Sequence, residues 1–148
     1  AIDPNLLGLE ITESIAMKNL SVTNVLLEKL KQMNFKILLD DFGTGYSSLS
    51  YLTKFDIDII KIDQSFVQDL SHNPEKDAII SAIIAIANKL NLKTIAEGIE
   101  TQEELQLLKN YNCDAAQGYL FSAPVPANQF DKLLEQNLNL QSIAAHSL

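Results

Sequence analysis

The chain has 148 residues, of which 47% are hydrophobic and 20% are charged, and its formal net charge at pH 7 is −8. This length and composition are typical of one globular domain, and no apolar run approaches the ~20 residues of a membrane span. The acidic balance argues against general binding to DNA or RNA, which needs a basic surface to displace counterions.

Short apolar runs alternate along the chain with longer amphipathic ones, which predicts strands alternating with helices. In chain order we predict strand 6–11, helix 21–33, strand 36–40, a short helix around 47–52, strand 58–62, helix 74–90, strand 93–96, helix 101–111, strand 115–121 and helix 128–138. Pro74 occupies a first-turn position, and Thr101 followed by Glu104 forms a capping-box pattern, so both mark helix starts. Residues 139–148 show no strong period, so we predict a loose tail after a domain portion of residues 1–138.

Helix 21–33 places four apolar residues on one predicted face: Val25, Leu26, Leu30 and Met33. The five strands are nearly continuous in apolar residues and each precedes a helix, which indicates a parallel sheet covered by helices. An open doubly wound sheet and part of a (β/α)₈ barrel both satisfy this pattern. No glycine-rich dinucleotide fingerprint follows a strand, which weakens the doubly wound alternative. We therefore predict an α/β fold, a partial (β/α)₈ TIM-like barrel of about five parallel strands.

Most of the predicted strands end in a carboxylate or another polar residue. These residues are Glu10, Asp40, Asp41, Lys61, Asp63, Glu97 and Gln117. In parallel α/β folds the carboxyl ends of the strands are where ligands bind. One such acid could simply cap the following helix. Carboxylates at equivalent places on four strands would repel one another, so bound metal ions are their natural neutralising partners.

Hard oxygen donors favour Mg²⁺ or Mn²⁺ over zinc. His72 and His146 lie in a loop and in the tail, and neither is placed like a ligand. The adjacent Asp40 and Asp41 can serve two metal ions, an arrangement that suits hydrolysis of a phosphodiester. Lys61 points the same way as Asp63 because strand side chains alternate, and it offers a cation for phosphate or for the attacking hydroxide. A salt bridge from Lys61 to one of the acids is the alternative, and both can hold together.

The segment after Asp41 contains two glycines, Gly43 and Gly45, which permit backbone shapes closed to other residues. The lysine-containing P-loop pattern is absent, so a mobile loop at a metal site is favoured over a phosphate-cradling loop. Glu13 could anchor this loop by accepting hydrogen bonds from Thr44 or from the loop backbone. Capping of the following helix is the alternative role for Glu13.

Five motifs of the chain, in order, resemble those of the EAL-domain family of cyclic di-GMP phosphodiesterases. They are Leu-Glu-Ile-Thr-Glu-Ser (9–14), Asp-Asp-Phe-Gly-Thr-Gly-Tyr-Ser-Ser-Leu (40–49), Lys-Ile-Asp (61–63), Ala-Glu-Gly-Ile-Glu-Thr (96–101) and Gln-Gly-Tyr-Leu-Phe (117–121). The resemblance covers nearly the whole chain. It implies a (β/α)₈-like barrel that binds cyclic di-GMP and linearises it with two Mg²⁺ or Mn²⁺ ions.

The resemblance also implies a role for each motif residue. Glu10 and Asp40 would ligate metal, and Asp41 would serve the second ion. Lys61 would position the water or the phosphate. Glu97 would act as general base or orient the nucleophile.

The remaining implied roles concern the loop and the walls of the site. Glu13 would hold the flexible loop, which consists of Phe42, Gly43, Thr44 and Gly45. The site would be lined by Asp63, Glu100 and Gln117. In the family the glycine loop and the helix after it also help to form a dimer, so we expect a homodimer.

The chain departs from the family pattern in what it lacks. The Glu-Ala-Leu tripeptide is absent, as are an upstream Asn ligand and the Arg that meets substrate phosphate; all 11 basic residues are lysines. Roughly three strands of an eight-strand barrel are missing. Ala123 replaces the basic residue that usually precedes Pro124.

Three functions fit the sequence: part of an active phosphodiesterase, a receptor that binds cyclic di-GMP without cutting it, and a protein-interaction module. Every acid that the family pattern requires in this region is present, which favours catalysis by the intact parent protein and an inactive isolated chain. Cys113 is the only cysteine. No internal disulfide can form, which fits the reducing cytoplasm.

Overall fold

The computed structural model describes residues 2–45 and 51–135. Within these ranges the strands are β1 Gly8–Thr12, β2 Lys36–Phe42, β3 Ile59–Ile62, β4 Lys93–Ala96 and β5 Ala115–Ala116. The helices are α1 Glu13–Lys18, α2 Leu20–Gln32, α3 Gln64–Val67, α4 Pro74–Lys89, α5 Gln102–Asn110 and α6 Ala127–Glu135. Two single 3-10 turns, Pro4–Leu6 and Leu70–His72, complete the described elements. No described helix has the length and apolar character needed to cross a membrane.

The five strands form one parallel sheet in the order β1-β2-β3-β4-β5. Each strand pairs with the next strand in the chain, and the order never reverses. A doubly wound sheet reverses its strand order at a switch point, whereas a (β/α)₈ barrel keeps the strands sequential. The partial-barrel prediction is therefore confirmed, and the open doubly wound alternative is excluded for the described strands.

One face of the sheet is covered by helices and forms the hydrophobic core. Ile37 and Leu39 of β2 and Ile60 and Ile62 of β3 are almost fully buried, in the alternating pattern of residues that share one face of a strand. The helices contribute Leu27, Ile80, Ile84, Leu105 and Leu108 to this core. The intervening positions of the same strands point to the opposite face, where the strand-end polar residues lie.

Several element boundaries differ from the prediction. The sequence pattern did not reveal α1, which begins directly after β1. β5 is shorter than the predicted strand 115–121 because the chain turns at Gly118, whose carbonyl oxygen accepts the Phe121 N–H. Most of the predicted short helix 47–52 and all of the tail 139–148 lie outside the described residues, as does the end of helix 128–138.

The predicted apolar face of α2 is wrong for three of its four residues. Val25, Leu26 and Met33 are 52%, 49% and 57% exposed, whereas the predicted Leu30 packs against the core and Leu27, which was not predicted, is buried at 2%. The helix packs against β2 through Leu27. Because β1 is an edge of the described sheet, the side of α2 that faces away from β2 has no covering element among the described residues.

Candidate active site

Three carboxylates from different strand ends converge on one ammonium group. Lys61 Nζ lies 3.0 Å from Glu10 Oε2, 3.0 Å from Asp40 Oδ1 and 2.8 Å from Glu97 Oε1. Lys61 is only 7% exposed. Partial burial opposes the charged ammonium, but hydrogen bonds to Glu97, Glu10 and Asp40 outweigh it and hold the Lys61 pKa well above its ordinary value. The salt-bridge alternative proposed for Lys61 is thus present, with three partners.

Asp40 and Asp41 face the site together because β2 is irregular at its end. Consecutive strand residues ordinarily point to opposite faces. The register between β2 and β3 shifts between Leu39 and Phe42, and Asp41 adopts a φ of 55°. Aspartate tolerates this left-handed conformation better than most residues do. Ordinary alternation along β2 places Asp40 on the side of Lys61, and the bulge leaves the next residue, Asp41, on the wall of an adjacent cavity.

This cavity of about 370 Å³ lies at the same edge of the sheet. Its lining residues come from the end of β2 and from the segments that follow β3, β4 and β5: Asp41, Asp63, Gln64, Glu97, Gly98, Glu100, Gln117, Gly118 and Tyr119. The predicted lining residues Asp63, Glu100 and Gln117 therefore all lie in the wall of this one cavity. Asp63 also caps α3, because its Oδ1 accepts the Ser65 N–H at 2.9 Å.

Sequence reasoning missed Gln64, Gly98, Gly118 and Tyr119 as lining residues. Gly98, Gly118 and Tyr119 lie inside the motifs 96–101 and 117–121, and Gln64 directly follows the motif 61–63, so the motifs themselves were the available signal. Gly98 has a φ of 73°, and a Cβ atom there would lie 2.5 Å from Gln64 Cβ. Only glycine fits this close approach, because both the space and the backbone conformation exclude a side chain.

Glu13 lies beside the start of the glycine loop. It is 1% exposed, and its Oε2 accepts the Gly43 N–H at 3.0 Å. Gly43 has a φ of 97°, and a Cβ there would lie 2.8 Å from the Phe66 ring. Thr44 donates its hydroxyl to the Asp41 carbonyl oxygen at 2.9 Å. Glu13 therefore makes the contact with the loop backbone that an anchor requires. The role of Glu13 in the function stays a prediction.

Not all of the predicted loop leaves the sheet. Phe42 is the last residue of β2 and is 2% exposed, so it belongs to the core. Gly43, Thr44 and Gly45 follow the strand as a turn. The rest of the loop, from Tyr46 onward, lies outside the described residues.

The carboxylate oxygens at the carboxyl ends of the strands could supply part of the ligand set of a divalent metal ion. Asp40 Oδ1 is shielded from solvent, and the Lys61 ammonium lies 3.0 Å from it. A divalent cation also binds carboxylate oxygens directly, so it could take the place of the ammonium at this atom. Glu10 stands on the neighbouring strand with half of its side chain exposed.

The described residues do not complete such a site. Nowhere in residues 2–45 and 51–135 do three carboxylate, imidazole or thiolate groups lie close enough together to hold a metal ion. Glu10 and Asp40 meet at Lys61, whereas Asp41 lies in the cavity. His72 is exposed and hydrogen-bonded to Ser71, and His146 lies outside the described residues. Further metal ligands would have to come from groups beyond those described.

Comparisons with known proteins point to one family. Residues 1–124 match the family model described as the EAL domain. The chain is 44% identical over 129 residues to the bifunctional diguanylate cyclase/cyclic di-GMP phosphodiesterase MucR of Pseudomonas aeruginosa, an alignment that covers 87% of this chain and 19% of MucR. It spans less than a quarter of several other curated relatives as well.

Solved structures agree with that match. The PaMucR phosphodiesterase in complex with c-di-GMP superposes with a TM-score of 0.83 and 44% identity, covering 87% of this chain and 52% of that one. The manganese and cyclic di-GMP complex of Klebsiella pneumoniae BlrP1 gives a TM-score of 0.78 and 35% identity, covering 83% of this chain and 31% of that one. The similarity therefore extends over nearly all of this chain, but over only 52% and 31% of these two structures.

Proposed function

The chain belongs to the EAL-domain family, and from this premise we propose that it is the C-terminal part of a domain that hydrolyses cyclic di-GMP to linear pGpG with two Mg²⁺ or Mn²⁺ ions. The domain portion would be residues 1–138 and the tail residues 139–148. The observation that carries the proposal is the convergence of Glu10, Asp40 and Glu97 on Lys61 beside a polar cavity.

Glu10 and Asp40 would bind one ion, and Asp41 would reach the second from the cavity wall. Bound ions would supply a clamp on the phosphate and a water of lowered pKa at this edge of the sheet. The distribution of charge supports this assignment, because Lys61 is the only cation within 4.0 Å of these acids in the described part of the chain. One ammonium leaves the cluster with excess negative charge, which phosphate would not approach without further cations.

Lys61 and Glu97 would act on the reacting groups. The Lys61 ammonium stays protonated because its pKa is raised, so it can donate to a phosphate oxygen or to the attacking water. Glu97 contacts Lys61 and also lines the cavity, so its carboxylate can accept a proton from a water held between them. Asp63, Glu100 and Gln117 would contact the dinucleotide along the cavity, which has the size of a small-molecule site.

Two further parts of the proposal concern the setting of the domain. The glycine loop and the helix after it would form a homodimer, as in the family that the motifs resemble. The site of action would be the cytoplasm, where the free and buried thiol of Cys113 stays reduced.

The test is turnover by the intact protein that carries this sequence. Purified protein should convert cyclic di-GMP to pGpG only with Mg²⁺ or Mn²⁺ present. Asp40→Asn should lower turnover by ~10²-fold or more, because a metal-facing charge is lost. Asp56→Asn is the matched control, since Asp56 is exposed and away from the cluster. Binding of cyclic di-GMP without metal-dependent turnover would refute the phosphodiesterase and indicate a receptor.

A further inference from the structure

Glu104 makes one hydrogen bond more than helix capping requires. It is 4% exposed and lies in the first turn of α5, where its N–H donates to Thr101 Oγ1. Its Oε2 accepts the Thr101 N–H at 3.0 Å, which completes the ordinary capping box. The same oxygen also accepts the N–H of Glu100 at 3.0 Å. Glu100 precedes the cap and belongs to the loop that lines the cavity.

The preceding part of this loop is fixed by the neighbouring segments. The Glu97 N–H donates to the Ile62 carbonyl oxygen at 3.1 Å, and Gly98 packs closely against Gln64. Ile99 is fully buried; its N–H donates to the Gln117 carbonyl oxygen at 3.1 Å. These contacts hold the loop up to Ile99 against the segments after β3 and β5.

A second glycine makes the approach at Ile99 possible. A Cβ atom on Gly118 would lie 2.2 Å from the Ile99 carbonyl oxygen and 2.3 Å from its nitrogen. The Ile99 carbonyl oxygen in turn accepts the Leu120 N–H at 3.0 Å. Beyond Ile99 these inter-loop bonds end, and the N–H groups of Glu100 and Thr101 both donate to Glu104.

Electrostatic repulsion explains why Glu100 needs such a tether. Glu100 is an exposed residue that lines the cavity together with Asp41, Asp63 and Glu97, and acids that share a cavity repel one another. Because Glu100 is open to solvent on one side, a loosened backbone would let the whole residue move away from the other acids. A negative charge on Glu104 is tolerated because it sits at the positive N-terminus of α5.

From these contacts we infer that Glu104 is a positioning residue: it fixes the backbone of Glu100 so that the Glu100 carboxylate stays on the cavity wall and contacts the dinucleotide. This inference rests on the proposed function of the cavity. It assigns Glu104 no contact with substrate or metal, so its effect is on substrate affinity and passes through Glu100.

The test compares four variants of the intact protein. Glu104→Ala should weaken cyclic di-GMP binding by ~10-fold while Mn²⁺ affinity stays within ~2-fold of wild type. Glu104→Gln keeps an acceptor oxygen and should restore most of the binding. Glu103→Ala removes an exposed acid from the same helical turn and should bind like wild type. Thr101→Ala removes the cap hydroxyl but leaves both bonds to Glu104 Oε2, so it should lose thermal stability and keep its affinity.

Amide hydrogen exchange provides a readout that does not depend on activity. The Glu100 and Thr101 amides should exchange faster in Glu104→Ala and remain protected in Thr101→Ala. Wild-type affinity in Glu104→Ala, or an equal loss of affinity in Thr101→Ala, would overturn the positioning role and leave Glu104 as a cap. If the wild-type protein bound no cyclic di-GMP, the proposed function would fail, and unprotected Glu100 and Thr101 amides in that protein would overturn the tether separately.

Discussion

At the scale of single residues, Lys61 is one cation among three carboxylates, an arrangement in which metal ions could replace part of its contacts. Each acid loses part of its hydration at the strand ends, and the ammonium offsets their mutual repulsion. Metal ions that bound Glu10 and Asp40 would take over this task and leave Lys61 paired with Glu97. Glu97 would keep its contact with both Lys61 and the cavity, so it is the residue expected to act on the reacting water.

Glu97→Gln should separate chemistry from binding. The amide keeps the size of the side chain and can still accept a hydrogen bond from Lys61, but it cannot take a proton. In the intact protein we expect turnover to fall by ~10²-fold or more while the Kd for cyclic di-GMP changes only a few-fold. Steady-state kinetics and direct binding measure the two effects, with Glu103→Gln as the exposed control. Near-normal turnover would remove Glu97 from the mechanism.

At the scale of elements, two aspartates link neighbouring strands in the same way at the amino ends of the strands, opposite the candidate site. Asp58 precedes β3 and accepts the N–H of Ile37 on β2 at 2.8 Å and the ammonium of Lys31 at 2.6 Å. In the same manner Asp114 precedes β5 and accepts the N–H of Thr94 on β4 at 2.9 Å. Each bond joins the start of one strand to its neighbour, which fixes the register that brings the strand ends together.

The substitution Asp58→Asn should make the free energy of unfolding depend less on pH in the acid range. Burial opposes ionisation of Asp58, but hydrogen bonds from Lys31 and from the Ile37 N–H outweigh it and lower the pKa below 3.8. When a carboxyl group has a lower pKa in the folded state than in the unfolded state, its ionised form stabilises the fold at pH values above the unfolded-state pKa. This stabilisation is lost as the pH falls through the folded-state pKa. We expect the variant to be ~1–2 kcal/mol less stable at pH 7, with the difference shrinking below about pH 4.

Urea unfolding at pH 7 and at acid pH measures this difference. Asp56→Asn is the matched control, because Asp56 is exposed and two residues away. A stability difference between wild type and Asp58→Asn that is the same at both pH values would contradict a role for the ionised carboxylate.

At the scale of the whole molecule, the described sheet has an uncovered side. β1 is an edge strand with Leu9 partly exposed, and the residues before it expose Leu6 and Leu7. Val25 and Leu26 of α2 are exposed as well. Five parallel strands cannot close an eight-strand barrel, so this surface and the edge of β1 stay open among residues 2–45 and 51–135.

The 148-residue chain by itself should therefore not hydrolyse cyclic di-GMP and should self-associate. In the described part of the chain its acids have no further ligands to complete a metal site, and an open strand edge invites pairing with other chains. Light scattering gives the mass, and chromatography of the nucleotide products gives turnover with Mg²⁺ and Mn²⁺. A compact monomer with metal-dependent turnover would contradict both expectations. An active oligomer would contradict only the need for further ligands.

The sequence by itself determined the order and type of most elements, and it predicted several of the residues that the structure brings together at the cavity and at Lys61. Strand and helix periods are local, so the predicted strand 93–96 coincides with β4, and Pro74 marks the start of α4. The capping box at Thr101 and Glu104 is present for the same reason, since its partners are three residues apart. Polar residues at successive strand ends indicated one edge because parallel strands share their direction.

Only the tertiary structure decided how those residues meet. The bulge at Asp41 depends on pairing between β2 and β3, and the salt bridges of Lys61 join residues from four separate segments. Which face of α2 is buried depends on which neighbours are present, and the early end of β5 depends on the close approach of Gly118 to Ile99. A periodic pattern states that one side of an element can be buried, but contacts distant in sequence determine what covers it.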